Sequence, residues 1–186
     1  TVGGKAVQTA TADGYTLLFS AATHLLSNLV MAKPPYDPVS DFTPIARVGE
    51  APLLMVISPQ LKEQKLSEVI ESARAAPDKW TAAVPATLAP YKGTAPALID
   101  VAGGHTQILM DSIVSLLPMA KTGKVRGVVT TSAKRSALAP DIPTALESGV
   151  PGLVYATWYG VWAPAGTPSE RVDWLNQAIN IAITAL

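Results

Sequence analysis

Apolar and polar positions along the chain alternate between two periods. In DGYTLLFSA (Asp13–Ala21) a glycine turn leads into a short β run expected over Tyr15–Phe19. KPPYDPVSDFTPIARVG is too rich in proline for a helix interior and reads as a surface crossing that enters a strand. PLLMVIS (Pro52–Ser58) is an unbroken apolar run of strand length, as expected where both sheet faces are covered. In LSEVIESARAA the period lengthens, setting Leu66, Val69, Ile70 and Ala73 on one helical stripe that ends before Pro77. KWTAAV, HTQILMD and KVRGVVTTS read as strands. APALIDVAG reads as a helix with Pro96 in its first turn and Gly103 after its end.

Two later segments carry the helix-start spacing of a capping box. Thr144 and Glu147 in TALESG predict a short helix stopped by Gly149. Thr167 and Glu170 predict a longer one with Pro168 at its first position and Val172, Leu175, Ala178, Ile179 and Ala182 on one face. Strands alternating with helices imply an α/β fold with crossover connections. In such sheets ligands lie beyond the carboxyl ends of the strands. Three strand exits are then informative: Phe19 into SAATHLLSN, Ala83 into VPAT and Met110 into DSIVS. Their small polar residues and free amides suit a small, hydrogen-bonding and anionic ligand.

Composition narrows the classes. Fourteen basic and fourteen acidic residues cancel and form no long block, which argues against nucleic acid as a partner. Apolar residues make up 48% of the 186 positions, yet no run approaches the ~20 residues of a membrane helix. With no cysteine there is neither a disulfide framework nor a thiolate metal site. His24 and His105 stand far apart among apolar neighbours and lack further ligands at zinc spacing, so no metal or cofactor is expected. The chain opens at Thr1 rather than Met, so a processed or trimmed N-terminus is the expectation.

Five stretches in order, DGYTLL, PYDPVSDFTPIARV, YKGTAPALIDVAGG, GKVRGVVTTSAKRSALAPDIPTALESGVPG and WYGVWAPAGTPSERV, resemble the substrate-binding receptors of tripartite tricarboxylate transport systems, the Bug-type periplasmic proteins. The resemblance implies a type II periplasmic-binding-protein-like fold: two α/β domains, a ligand cleft between them and a two-strand hinge. LLMVIS would be the outgoing hinge strand and VRGVVTTS the returning one. Domain one would then comprise residues 1–57 and 125–186, and domain two residues 58–124. On the family pattern the chain is expected to begin after a first strand, Gly-Gly loop and helix. Near residues 87–88 a Gly-rich loop, a helix and a further strand are also missing.

The resemblance implies ligand contacts from Ser20, Ala21, Thr23 and Asn28 in the first loop, and from Pro85 and Thr87 in VPAT. Pro85 removes one backbone donor there. It also brings in Tyr91, Asp111, Ser112 and Trp158. Each has a structural alternative. Ser20 or Thr23 can cap a helix, and Asp111 can cap SIVSLL. Tyr91 and Lys92 suit a tight turn at Gly93, Trp158, Tyr159 and Trp162 suit packing, and Asp37 and Asp41 suit turns. His24 suits a buried structural position. No nucleophile–base pair or phosphate loop is visible, so the expectation is a non-catalytic periplasmic receptor for a small carboxylate. Its partners would be membrane transporter subunits, and it would be monomeric without direct membrane insertion. A sensor presenting its liganded state to a membrane kinase is the alternative, and an enzyme is the less favoured one.

Overall fold

The computed structural model describes residues 2–31, 33–83, 91 and 93–185. Its elements run α1 (Val2–Gln8), β1 (Leu18–Ala21), α2 (Ser27–Val30), β2 (Phe42–Ile57) and α3 (Leu66–Ala75). They continue with β3 (Ala82–Ala83), α4 (Thr94–Ala102), β4 (Ile108–Ser112), α5 (Ile113–Lys121), β5 (Arg126–Thr130), β6 (Ala156–Pro164) and α6 (Ser169–Thr184). Two compact units result: Thr1–Glu50 with Thr157–Leu186, and the uninterrupted run Ala51–Ala156.

The units divide after Glu50 and after Ala156, not at the expected 57/58 and 124/125. Hydrogen bonding explains the difference. Leu53–Ile57 of β2 pairs antiparallel with β4 on one side and with β5 on the other. Both flanking segments therefore belong with the residues they bond, and the strands that pass from unit to unit are β2 and the start of β6, rather than β5.

In the second unit β3 adds in parallel to β4, pairing Ala82 with Ile108. Ile57, Leu66, Val69, Val128, Val129 and Ala145 pack into one cluster that carries the stripe of α3. The amides before α3 are satisfied by Glu68, whose carboxylate accepts from Gln64 at 2.6 Å and Lys65 at 3.2 Å. TALESG forms no helix. Its reciprocal bonds exist, Thr144 N–H to Glu147 Oε2 at 2.8 Å and Glu147 N–H to Thr144 Oγ at 3.1 Å, but they close a turn. Gly149, at φ +80°, ends the segment before a second helical turn can form.

In the first unit β1 pairs antiparallel with β6, from Leu18 opposite Trp162 to Ala21 opposite Tyr159. The strand starts at Leu18 rather than Tyr15, because Asp13 Oδ1 takes the Tyr15 amide at 3.0 Å and Gly14 turns at φ +83°. Val7, Tyr36, Phe42 and Trp162 form the core, joined by Leu18, Leu25 and Trp158. The helix α1 was not expected from VGGKAVQ. It lies so close to Tyr36 that a Cβ on Gly4 would come within 2.5 Å of the ring. Pro168 is the N-cap of α6, so the helix starts at Ser169, one residue later than expected, while Thr167 donates to Pro164 O at 2.8 Å.

Candidate functional site

Each unit carries part of the expected ligand set. In the second unit Asp111 ends β4 half-buried, beside the start of α5. The expected N-cap role falls instead to Ser112, whose side chain makes no capping bond. Asp111 is still in extended strand, so its Oδ1 reaches only the amide of Ser112, at 2.6 Å. Its Oδ2 accepts from the hydroxyl of Thr94, the first residue of α4. The carboxylate thus ties the beginnings of α4 and α5 together, and Thr94 is a member of this group that sequence reading missed. Its only signal was a hydroxyl directly after Gly93, which turns at φ +115°.

Ser112 sits opposite Leu53, and Asp111 opposite Leu54, so the two side chains leave the strand on opposite faces. Ser112 is 3% exposed, and among the described residues its Oγ has no hydrogen-bond partner. Tyr91 has its hydroxyl engaged internally, donating to Asp100 Oδ2 at 2.6 Å and lying 2.8 Å from Thr106 Oγ. That bond to the Asp100 carboxylate holds the phenol above its ordinary pKa. Pro85, Thr87 and Lys92 lie outside the described residues. A cavity of ≈ 690 Å³ in this unit, between Leu117, Lys121, Arg126 and Ile142, includes none of the expected ligand residues.

In the first unit Ser20 and Ala21 end β1 opposite Gly160 and Tyr159. Thr23 follows exposed in a 3-10 turn, Ala22–His24, without a side-chain cap from Ala21. Asn28 is exposed on α2. Asp37 Oδ1 accepts from the amides of Val39 at 2.8 Å and Ser40 at 3.1 Å, which hold its carboxyl below the usual range. Asp41 Oδ2 accepts the Asp37 amide at 2.9 Å. Both aspartates fix the turn before β2.

Trp158 lies in the aromatic packing, 6.0 Å from the Trp162 ring and beneath the Arg47 guanidinium at 5.8 Å. It also lines an apolar cavity of ≈ 880 Å³ with Leu25, Phe42, Ile45 and Trp162. His24 is buried against Tyr36, Phe42 and Trp162, with Nδ1 3.4 Å from the Tyr36 hydroxyl. Burial lowers its pKa, because the charged imidazolium would lose hydration there.

A family model described as the tripartite tricarboxylate transporter family receptor matches residues 1–89 and 81–185. BugT of Bordetella pertussis is 31% identical over 204 residues, covering 98% of this chain and 63% of the relative. The chain spans about three-fifths of the length of the curated relatives it matches. That alignment is longer than the chain, so BugT carries residues with no counterpart here. MatC from Rhodopseudomonas palustris, solved with bound malate, superposes with a TM-score of 0.83 at 30% identity over 98% of this chain and 69% of that one. Rpa4515 of R. palustris, solved with adipate, gives 0.86 at 30% identity over 96% and 67%.

Proposed function

The chain belongs to the tripartite tricarboxylate transporter receptor family, and on that premise we propose that it is a periplasmic solute receptor that captures a small carboxylate and delivers it to a membrane transporter. The observation that carries this reading is its likeness, over nearly its whole length, to two structures that hold dicarboxylates. Hydroxyls at the end of β1 and the paired helix starts around Asp111 are compatible with it. A helix N-terminus favours an anion, and Asp111, already bonded by Thr94 and Ser112, acts as an ordered acceptor rather than a counter-charge. Among the described residues no helix is long and apolar enough to cross a membrane. Capture by closure buries the ligand and substitutes fixed donors for its water, which gives affinity without chemistry.

Thermal unfolding of the full chain with malate, adipate, citrate and aspartate tests the reading. A bound carboxylate at a hundred times its dissociation constant should add ~2.7 kcal/mol of stability and be recovered unchanged. Stabilisation by none of the four overturns the carboxylate reading. Conversion of a bound compound overturns the non-catalytic one.

A further inference from the structure

Thr131 follows β5 and is fully buried, and it is the most heavily bonded side chain near the points where the chain passes between units. The crossings lie at Glu50/Ala51 and Ala156/Thr157. Just inside the first, Leu53 O accepts the Thr131 amide at 3.0 Å, and Leu53 N–H donates to Thr131 Oγ at 2.8 Å. Just inside the second, Tyr155 N–H donates to Thr131 O at 2.9 Å, and Thr131 Oγ donates to Tyr155 O at 2.5 Å. One hydroxyl therefore accepts from one crossing segment and donates to the other, with both its roles used.

The residue type matters here. Leu53 N–H directly follows Pro52, which has no amide of its own to offer the sheet. A valine at 131 would fill the same space and leave Leu53 N–H and Tyr155 C=O without their side-chain partner. Serine would keep both bonds. From this clasp we propose that Thr131 is a positioning residue that fixes where the two crossing strands leave the second unit, and thereby sets the pivot of closure and the rate of ligand release. The inference rests on the receptor reading above. Thr131 touches no ligand in it, and it acts by clamping β2 and the segment before β6 to β5.

The absence of cysteine allows clean double labelling at the exposed positions Glu71 and Gln177, one in each unit. Single-molecule energy transfer on the full chain without ligand should show a broader inter-unit distance distribution for Thr131→Val, and a native one for Thr131→Ser. With malate or adipate as probe, Thr131→Val should speed release about five- to tenfold, the equivalent of one or two neutral hydrogen bonds. An unchanged distribution in a folded Thr131→Val protein overturns the proposal. Should that variant not fold, amide exchange of the wild-type chain decides. Leu53 and Tyr155 amides exchanging as slowly as those of β4 support the clasp, and exchange at loop rates overturns it. Failure of both probes to bind wild type would count against the receptor reading alone, since the ligand-free distribution still judges Thr131.

Discussion

The two units solve the burial problem differently. In the second, the twelve largest side chains below 2% exposure are gathered, among them Leu54, Ile57, Leu109, Ile113 and Leu116. In the first, none of the described residues of comparable size is sealed to that degree, and α6 buries no residue fully. Exposed large apolar side chains occur in both units, for example Phe19 and Ile181 in the first and Ile99 and Val114 in the second, so the difference lies in the sealed interior. The second unit is a closed aliphatic core around a sheet bonded on both sides of β2. The first relies on a ring of aromatic contacts about His24. Aliphatic layers seal by interdigitation, whereas a few large rings leave gaps at their rims. The ≈ 880 Å³ cavity beside Trp158 is such a gap.

That contrast can be broken most forcefully by truncation. Leu116→Ala, at a site with no exposure, should cost about 2–5 kcal/mol in urea unfolding. Ile181→Ser, on the open face of α6, should stay within about 0.5 kcal/mol. A cost above 1 kcal/mol for the second would mean that the face of α6 is covered, and the comparison would fall.

Acid sharpens it. Because His24 has its folded pKa lowered below the ordinary 6.5, the unfolded chain binds more protons below that pH. Its contribution is complete above about pH 6.5 and is lost as pH falls through and below that value. Thermal unfolding should therefore fall more steeply between pH 7 and 5 for wild type than for His24→Phe. Parallel profiles would show that the aromatic ring carries no buried imidazole.

The smallest effect is expected from Glu50→Gln, which removes the exposed pair with Arg47. Both side chains are more than half exposed, so about 0.5 kcal/mol or less is expected, vanishing at high salt. A loss well above 1 kcal/mol would place real strength at the unit boundary.

The sequence made the strongest elements plain and obscured those that depend on distant partners. The existence of α6 is visible in its helix period, but its start is not: Pro168 is the N-cap without a side-chain cap bond, and Thr167 bonds Pro164 instead. The full length of β2 was not visible: KPPYDPVSDFTPIARVG reads as a surface crossing and the apolar strand run is expected from Pro52, yet one strand extends from Phe42 to Ile57. Pro52 is accommodated because the ladders with β4 and β5 begin at Leu53 and Leu54, so neither needs the amide that proline lacks. TALESG shows the reverse failure, a correct local signature whose bonds close a turn. Around the candidate site, Asp111 was legible as a charge at a strand end. Its bond to Thr94 was not, since that depends on how α4 packs. Tyr91 likewise looked available until Asp100 and Thr106 were seen to hold it.

The pairing of β1 with β6 also sets the length of the loop that the first unit must close. Leu18 pairs with Trp162 across the intervening second unit, whereas the widest ladder of the second unit joins Leu54 to Thr130. Closing the longer loop costs more entropy. The second unit is one continuous run with the shorter closures, whereas the first is assembled from two sequence segments on either side of it. The entropic burden of closure therefore falls on the unit with the less sealed core.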